Sequence, residues 1–120
     1  MGVKAAILFF SLCLPALADL AAGQQAFRNG EYATALKDLL PLAKQGNAVA
    51  QFFVGFMYDQ GQGVAQDYIH AHTWFSLAGA SGNADGIKYR DIVARKMTPD
   101  QIAEAQRLAR EWKPKIELPR

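Results

Sequence analysis

The sequence predicts an all-α fold, a short right-handed α/α solenoid of about three antiparallel helix pairs. Three observations carry this. Tyr32, Ala35, Gly46, Asn47 and Ala48 return 36 positions later as Tyr68, Ala71, Gly82, Asn83 and Ala84. Gly23 and Ala26 correspond to Gly55 and Tyr58 at an offset of 32, so the second copy carries about four extra residues between Tyr58 and Tyr68. A period in the thirties marks a helical repeat array, in which stacked helix pairs share one core. The third observation is periodicity. Apolar residues recur at helical spacing, and no stretch alternates apolar and polar as a strand would.

The N-terminus stands apart from the array. Met1 and Lys4 supply positive charge, Ala5–Leu14 is apolar apart from Ser11, Pro15 interrupts, and Ala16-Leu17-Ala18 follows. Positive charge, a short apolar core and small-x-small describe a secretory signal peptide over residues 1–18, cut after Ala18. The apolar run is too short for a stable membrane anchor. Leu12 is too bulky to precede a lipidated cysteine, so Cys13 is not read as a lipoprotein site. Cys13 is the single cysteine and would leave with the signal. The mature chain would then have no disulfide, thiol nucleophile or thiolate metal site.

About 102 residues follow Ala18, enough for one domain. Without Lys4 the net charge is +1, which points neither to nucleic acid nor to a strongly charged membrane. Residues 19–87 carry 3 basic and 6 acidic side chains, whereas residues 88–120 carry 9 basic and 5 acidic. A solvated basic end accounts for that imbalance.

The elements follow in order. A first helix runs from about Asp19 to Arg28 and stops at Asn29-Gly30. A second, from about Tyr32 to Lys44, carries Leu36, Leu39, Leu40 and Ala43 as a stripe, with Pro41 a source of kinking. Gly46-Asn47 ends it. The third, from about Ala48 to Asp59, is apolar nearly all round, so it is buried on several sides or offers an apolar face to a partner. Within it Phe53, Val54 and Met57 form the inward set. Gly61 and Gly63 allow a compact loop, and Asp67 is placed to cap a fourth helix near Ile69 and His70. That helix carries Ala71, Trp74, Phe75 and Ala78 on one face. Trp74 is expected buried near Tyr58 and Ala71. A fifth helix spans about Ala84 to Lys96, with Tyr89, Val93 and Met97 at spacing four. The sixth opens with Thr98 as N-cap, Pro99 at the first position and Gln101 completing a capping box. Ile102, Ala105, Ala109 and Trp112 form its stripe, and Pro114 stops it.

The segment Ala50-Gln51…Gly55-x-x-Tyr58-x-x-Gly61-x-Gly63-Val64-x-x-Asp67-Tyr68-x-x-Ala71-x-x-Trp74-Phe75, continuing through Ala78, Ala80, Gly82 and Asn83, resembles the Sel-one-like repeat, a branch of the tetratricopeptide class. Gly23-x-x-Ala26-x-x-x-Gly30-x-Tyr32-x-x-Ala35 lacks the insert and resembles an ordinary tetratricopeptide repeat. Met97–Ala105 is similar to the helix that follows such repeats in small exported bacterial proteins. His70, where the family usually has a basic residue such as lysine, and Gly79, in place of an alanine, depart from the pattern. The resemblance divides the chain into a signal peptide (1–18), a tetratricopeptide-like first repeat (19–47), a complete Sel-one-like repeat (48–83), a C-terminal capping helix pair (84–113) and a tail (114–120). Gly55, Tyr58, Gly61, Gly63, Asp67, Ala71 and Trp74 are its structural positions.

Chemistry-bearing motifs are sparse. His70 and His72 are two apart, so on a helix they diverge by about 200° and cannot chelate one metal. They read as surface or edge histidines. Gly61-x-Gly63 has no following Lys-Ser/Thr and no preceding strand, so it is a repeat loop and not a phosphate cradle. Asp59 and Asp67 are explained by solvation and capping. No catalytic residue, metal ligand or cofactor site is predicted.

The resemblance implies a periplasmic or secreted binding module, an adaptor or regulator of another protein or peptide. An alternative is a hydrolase acting on cell-wall or β-lactam substrates, as assigned to cysteine-rich relatives, whose paired cysteines this mature chain would lack. In tetratricopeptide arrays the first helix of each pair lines the concave face. Counted from Gly55, the groove positions are Val49, Phe52, Phe56 and Asp59. Counted from Gly23, they are Leu20, Gln24 and Phe27. The expected partner is an apolar-faced helix, an extended peptide or a second copy of the chain.

Overall fold

The computed structural model describes residues 17–115, which form six helices and no strand among the described residues. Helix α1 occupies residues 17–28. It is followed by α2 (Tyr32–Lys44), α3 (Ala48–Gln60), α4 (Tyr68–Ala80), α5 (Ala84–Ala94) and α6 (Pro99–Glu111). Of the expected signal peptide, residues 1–16 lie outside the described residues. Leu17 and Ala18 are helical and exposed.

The repeated Gly-Asn-Ala triplet has a physical job in both copies. The Asn47 amide donates back to the Leu42 carbonyl, and the Asn83 amide to the Ala78 carbonyl, closing α2 and α4. The same asparagines then turn their side chains forward. Asn47 accepts from the Ala50 amide, and Asn83 from the Asp85 and Gly86 amides. One residue thus ends a helix and caps the next, satisfying backbone groups that a helix terminus leaves without partners. Asp67 caps α4 through the His70 amide. Thr98 and Gln101 form the reciprocal capping box of α6, with Pro99 in its first turn.

The longer α3–α4 connection is held from within and from outside. Gln66 Nε2 donates to the Asp59 carbonyl at 2.8 Å, and the Asp67 amide to the Tyr58 carbonyl at 3.0 Å. Gly63 sits at φ +74°, and a Cβ there would meet the Tyr32 carbonyl oxygen at 2.8 Å. Any other residue would be strained in its backbone and would push the loop off α2.

Helix α4 is the centre. Ala71, His72, Thr73, Trp74, Phe75, Leu77 and Ala78 are all buried, because α3, α5 and α6 each pack against it. Two apolar clusters result. The first joins Ala35, Leu39 and Ala43 of α2 to Val54 and Met57 of α3 and to Trp74 and Leu77 of α4. The second is built on Ala71, Phe75 and Val93. Tyr58 packs against both. Trp74 is 8 % exposed, as the sequence reading expects. Gln51 is fully buried and donates to the Ala43 carbonyl at 3.1 Å, tying α3 to the end of α2.

Two boundaries differ from the sequence reading. Helix α5 stops at Ala94, so Met97 reaches the second cluster from beyond the helix and not as part of a stripe. Trp112 is the C-cap of α6, with extended backbone, and packs against the first cluster. Helix α2 runs through Pro41, whose side chain is exposed.

His72 is a correction. It was expected at the surface and is 4 % exposed. The angular divergence that rules out chelation puts His70 outside and His72 inside. Burial lowers the His72 pKa below its ordinary 6.5, and the Arg90 charge lowers it further against the opposing pull of Asp91. Above pH 6.5 neither folded nor unfolded chain holds a proton there. Below it the unfolded chain binds a proton that the folded chain resists, so stability falls as pH drops. Urea midpoints measured between pH 7 and pH 5 are expected to decline, and His72→Gln is expected to flatten that decline.

Close approach sets a second expectation. A Cβ on Gly86 would lie 2.7 Å from both the Gly79 nitrogen and the Phe75 carbonyl oxygen. Helix propensity alone favours Gly86→Ala by about 1 kcal/mol. Because backbone atoms of α4 cannot yield as a flexible side chain can, the substitution is expected to destabilise by about 1–3 kcal/mol in chemical denaturation.

Candidate functional site

Phe27 from α1, Phe52, Phe53 and Phe56 from α3, and Tyr89 from α5 line one open groove of about 220 Å³. Their rings meet largely edge to face. Phe27 lies 5.1 Å from Phe53 and 5.8 Å from Phe56. Phe52 lies 5.9 Å from Phe53 and 5.2 Å from Tyr89, and Phe56 lies 6.0 Å from Tyr89. This geometry sets a positive ring edge against a neighbour's negative face. All five side chains are half-buried. The sequence places them locally: Phe52, Phe53 and Phe56 sit at spacings of one, three and four on α3, a broad arc and not a line.

Three of the seven predicted groove residues, Phe27, Phe52 and Phe56, come together here. Leu20 packs instead against the first core cluster. Gln24 is half-buried, and neither it nor the exposed Val49 lines the groove. Phe53, expected inward with Val54 and Met57, is half-buried and forms part of the groove wall while also leaning on the first cluster. Tyr89 was missed as a groove residue. The repeat does not reveal it: the 36-residue offset carries Phe53, expected inward, onto Tyr89, and the groove positions Phe52 and Phe56 onto Lys88 and Ile92.

Asp59 is the clearest departure. Expected on a wet edge, it is 6 % exposed. Its Oδ2 accepts from Gln60 Nε2 at 2.7 Å, and its Oδ1 lies 3.7 Å from Lys96 Nζ. Lys96 follows α5 and also stands over the Tyr68 ring at 5.6 Å. A carboxylate at the end of α3 is thus paired with a cation that follows α5, because an unpaired buried charge would be costly. Nearby, His70 stacks on Tyr58 with centroids 5.2 Å apart, and its Nδ1 lies 2.7 Å from Asp67 Oδ2. Partial burial raises the Asp67 pKa, but hydrogen bonds from the His70 amide and ring, the His70 charge and the Ile69 amide outweigh it. Its carboxyl therefore titrates below its ordinary range.

The groove contains one titratable group, the Tyr89 phenol, and is otherwise hydrocarbon. It can take up apolar side chains. Among the described residues no group of three or more His, Cys, Asp or Glu side chains could hold a metal ion. No described helix is long and apolar enough to cross a membrane.

No protein-family model matches the sequence, and no curated protein matches it.

Phe52 and Phe56 both pack against the second cluster, but Phe52 adds a ring contact with the fully buried Phe75 at 5.8 Å, whereas the ring contacts of Phe56 are with Phe27 and Tyr89 of the groove. Phe52→Ser is expected to cost roughly 2–4 kcal/mol and Phe56→Ser roughly 1–2 kcal/mol, by scaling from full truncation of a core phenylalanine. Urea titration of the two variants checks the order.

Proposed function

We propose that this chain is a protein-interaction module, a short α/α solenoid of antiparallel helix pairs whose aromatic groove receives an apolar side chain or helix face of a partner. The observation that carries the reading is the groove itself. Five aromatic rings from three helices, each only half-buried, converge on one open apolar groove. Aromatic side chains are enriched where proteins meet, and an apolar patch left open commonly marks an interaction surface. The absence of a predicted catalytic set agrees with binding as the activity.

The resemblance to Sel-one-like and tetratricopeptide repeats supports the same reading, since such arrays act as binding scaffolds. Helices α3 and α4 fall within the predicted complete repeat, 48–83, and α5 and α6 within the predicted closing pair, 84–113. The N-terminal pattern over residues 1–18 supports export to the periplasm or out of the cell. The partner is then an exported protein or a peptide segment of one.

Site-specific photocrosslinking tests this. With benzoylphenylalanine at position 56, irradiation of producing cells is expected to give a discrete adduct. The same residue at position 106, exposed on α6, should give none. Adduct formation should drop when Phe27 is replaced by alanine. An empty lane at position 56, or equal labelling at both positions, would count against the groove as the site.

A further inference from the structure

A second cleft, of about 430 Å³, lies along α2 and shares no residue with the aromatic groove. Its floor is Leu36, Leu40 and Pro41, and its rim carries Lys37, Lys44 and Lys115. The first five lie on one face of α2, at spacings of three, four and seven or their neighbours. Lys115 arrives from the other end of the chain. Beyond α6, Trp112 packs on the first core cluster, and the Lys115 amide donates to the Lys44 carbonyl at 2.7 Å. That carbonyl belongs to the last turn of α2, where no helical donor is left to meet it.

Charge decides what the cleft fits. All three lysines are exposed, and none joins an ion pair among the described residues. The lone carboxylate within α2, Asp38, is turned toward α1, where its Cβ would lie 3.3 Å from a Cβ on Gly23. Three lysines therefore border an apolar lining, and among the described residues no carboxylate pairs with them.

We propose that this cleft docks an acidic amphipathic segment of a partner protein, with leucine-type side chains on Leu36, Leu40 and Pro41 and flanking carboxylates on Lys37, Lys44 and Lys115. The apolar floor supplies contact, and the three cations select acidic flanks over basic ones. This site stands independently of the aromatic groove.

Fluorescence anisotropy on the full chain tests it, with a labelled helical peptide that carries a leucine stripe flanked by glutamates. The control peptide has lysine at every glutamate. The acidic peptide is expected to bind saturably, and more weakly when salt rises from about 50 to about 300 mM, because exposed charges are screened. Lys37→Glu/Lys44→Glu, at two exposed positions, should bind at least about tenfold more weakly with an unchanged circular dichroism spectrum. Equal binding of the basic peptide, unchanged affinity of the lysine variant or no saturable binding would overturn the proposal. So would binding that requires deletion of residues 116–120, which would make the occupant the chain's own tail. A wild-type dimer in sedimentation that the lysine variant dissociates would assign the cleft to a second copy. Loss of the acidic peptide in folded Phe56→Ser, with the lysine variant unaffected, would move it to the aromatic groove.

Discussion

Helix α4 can hold three neighbours only because of side chains that are missing around it. Where α3 crosses it, a Cβ on Gly55 would press into the Phe75 ring at 2.8 Å and sit 3.3 Å from the Ala71 carbonyl oxygen. Where α5 crosses it, Gly86 brings the two backbones together. Ala71 and Ala78, both fully buried, keep the same surface low. With these approaches made, Trp74 and Leu77 reach the α2–α3 side while Phe75 reaches α5. The two clusters are therefore joined through one helix, and a shift of α4 would loosen both.

The aromatic groove is a by-product of the same arrangement. Helix α3 spends Val54, Met57 and the small Ala50 and Gly55 on its buried sides. Its three phenylalanines are left to face α1 and α5, which stand on either side of it and contribute Phe27 and Tyr89. The edge-to-face contacts among these rings fix their orientations along the groove.

Most of the scaffold was legible in the residues. The helix order, the caps at Asp67 and Thr98 and the burial of Trp74 follow from local chemistry that tertiary context did not overrule. The misreadings share a cause. Polar residues are placed outside by default, as composition suggests, yet Asp59 and His72 are inside because a partner waits there or because a crowded helix has no wet side. Asp59 is paired there with Lys96, which follows α5 and is invisible to any local window. Phe53 was sent to the core because its neighbours were. Periodicity marks α3 as apolar nearly all round but does not say which arc meets α1. Tyr89 was not legible from the repeat, because the 36-residue offset pairs it with Phe53, itself read as inward.

One hydrogen bond has a different reach from the rest. The other backbone bonds outside the helices join residues close in sequence, whereas the Lys115 amide meets the Lys44 carbonyl from the opposite end of the described helices. Lys115 is exposed and lies beyond α6, so this stretch can leave α2 with every helix intact. Segments of a chain open locally at very different cost. The Lys115 proton is therefore a reporter of one event, the seating of the chain's last described segment on the C-terminus of α2, read separately from the opening of the helices.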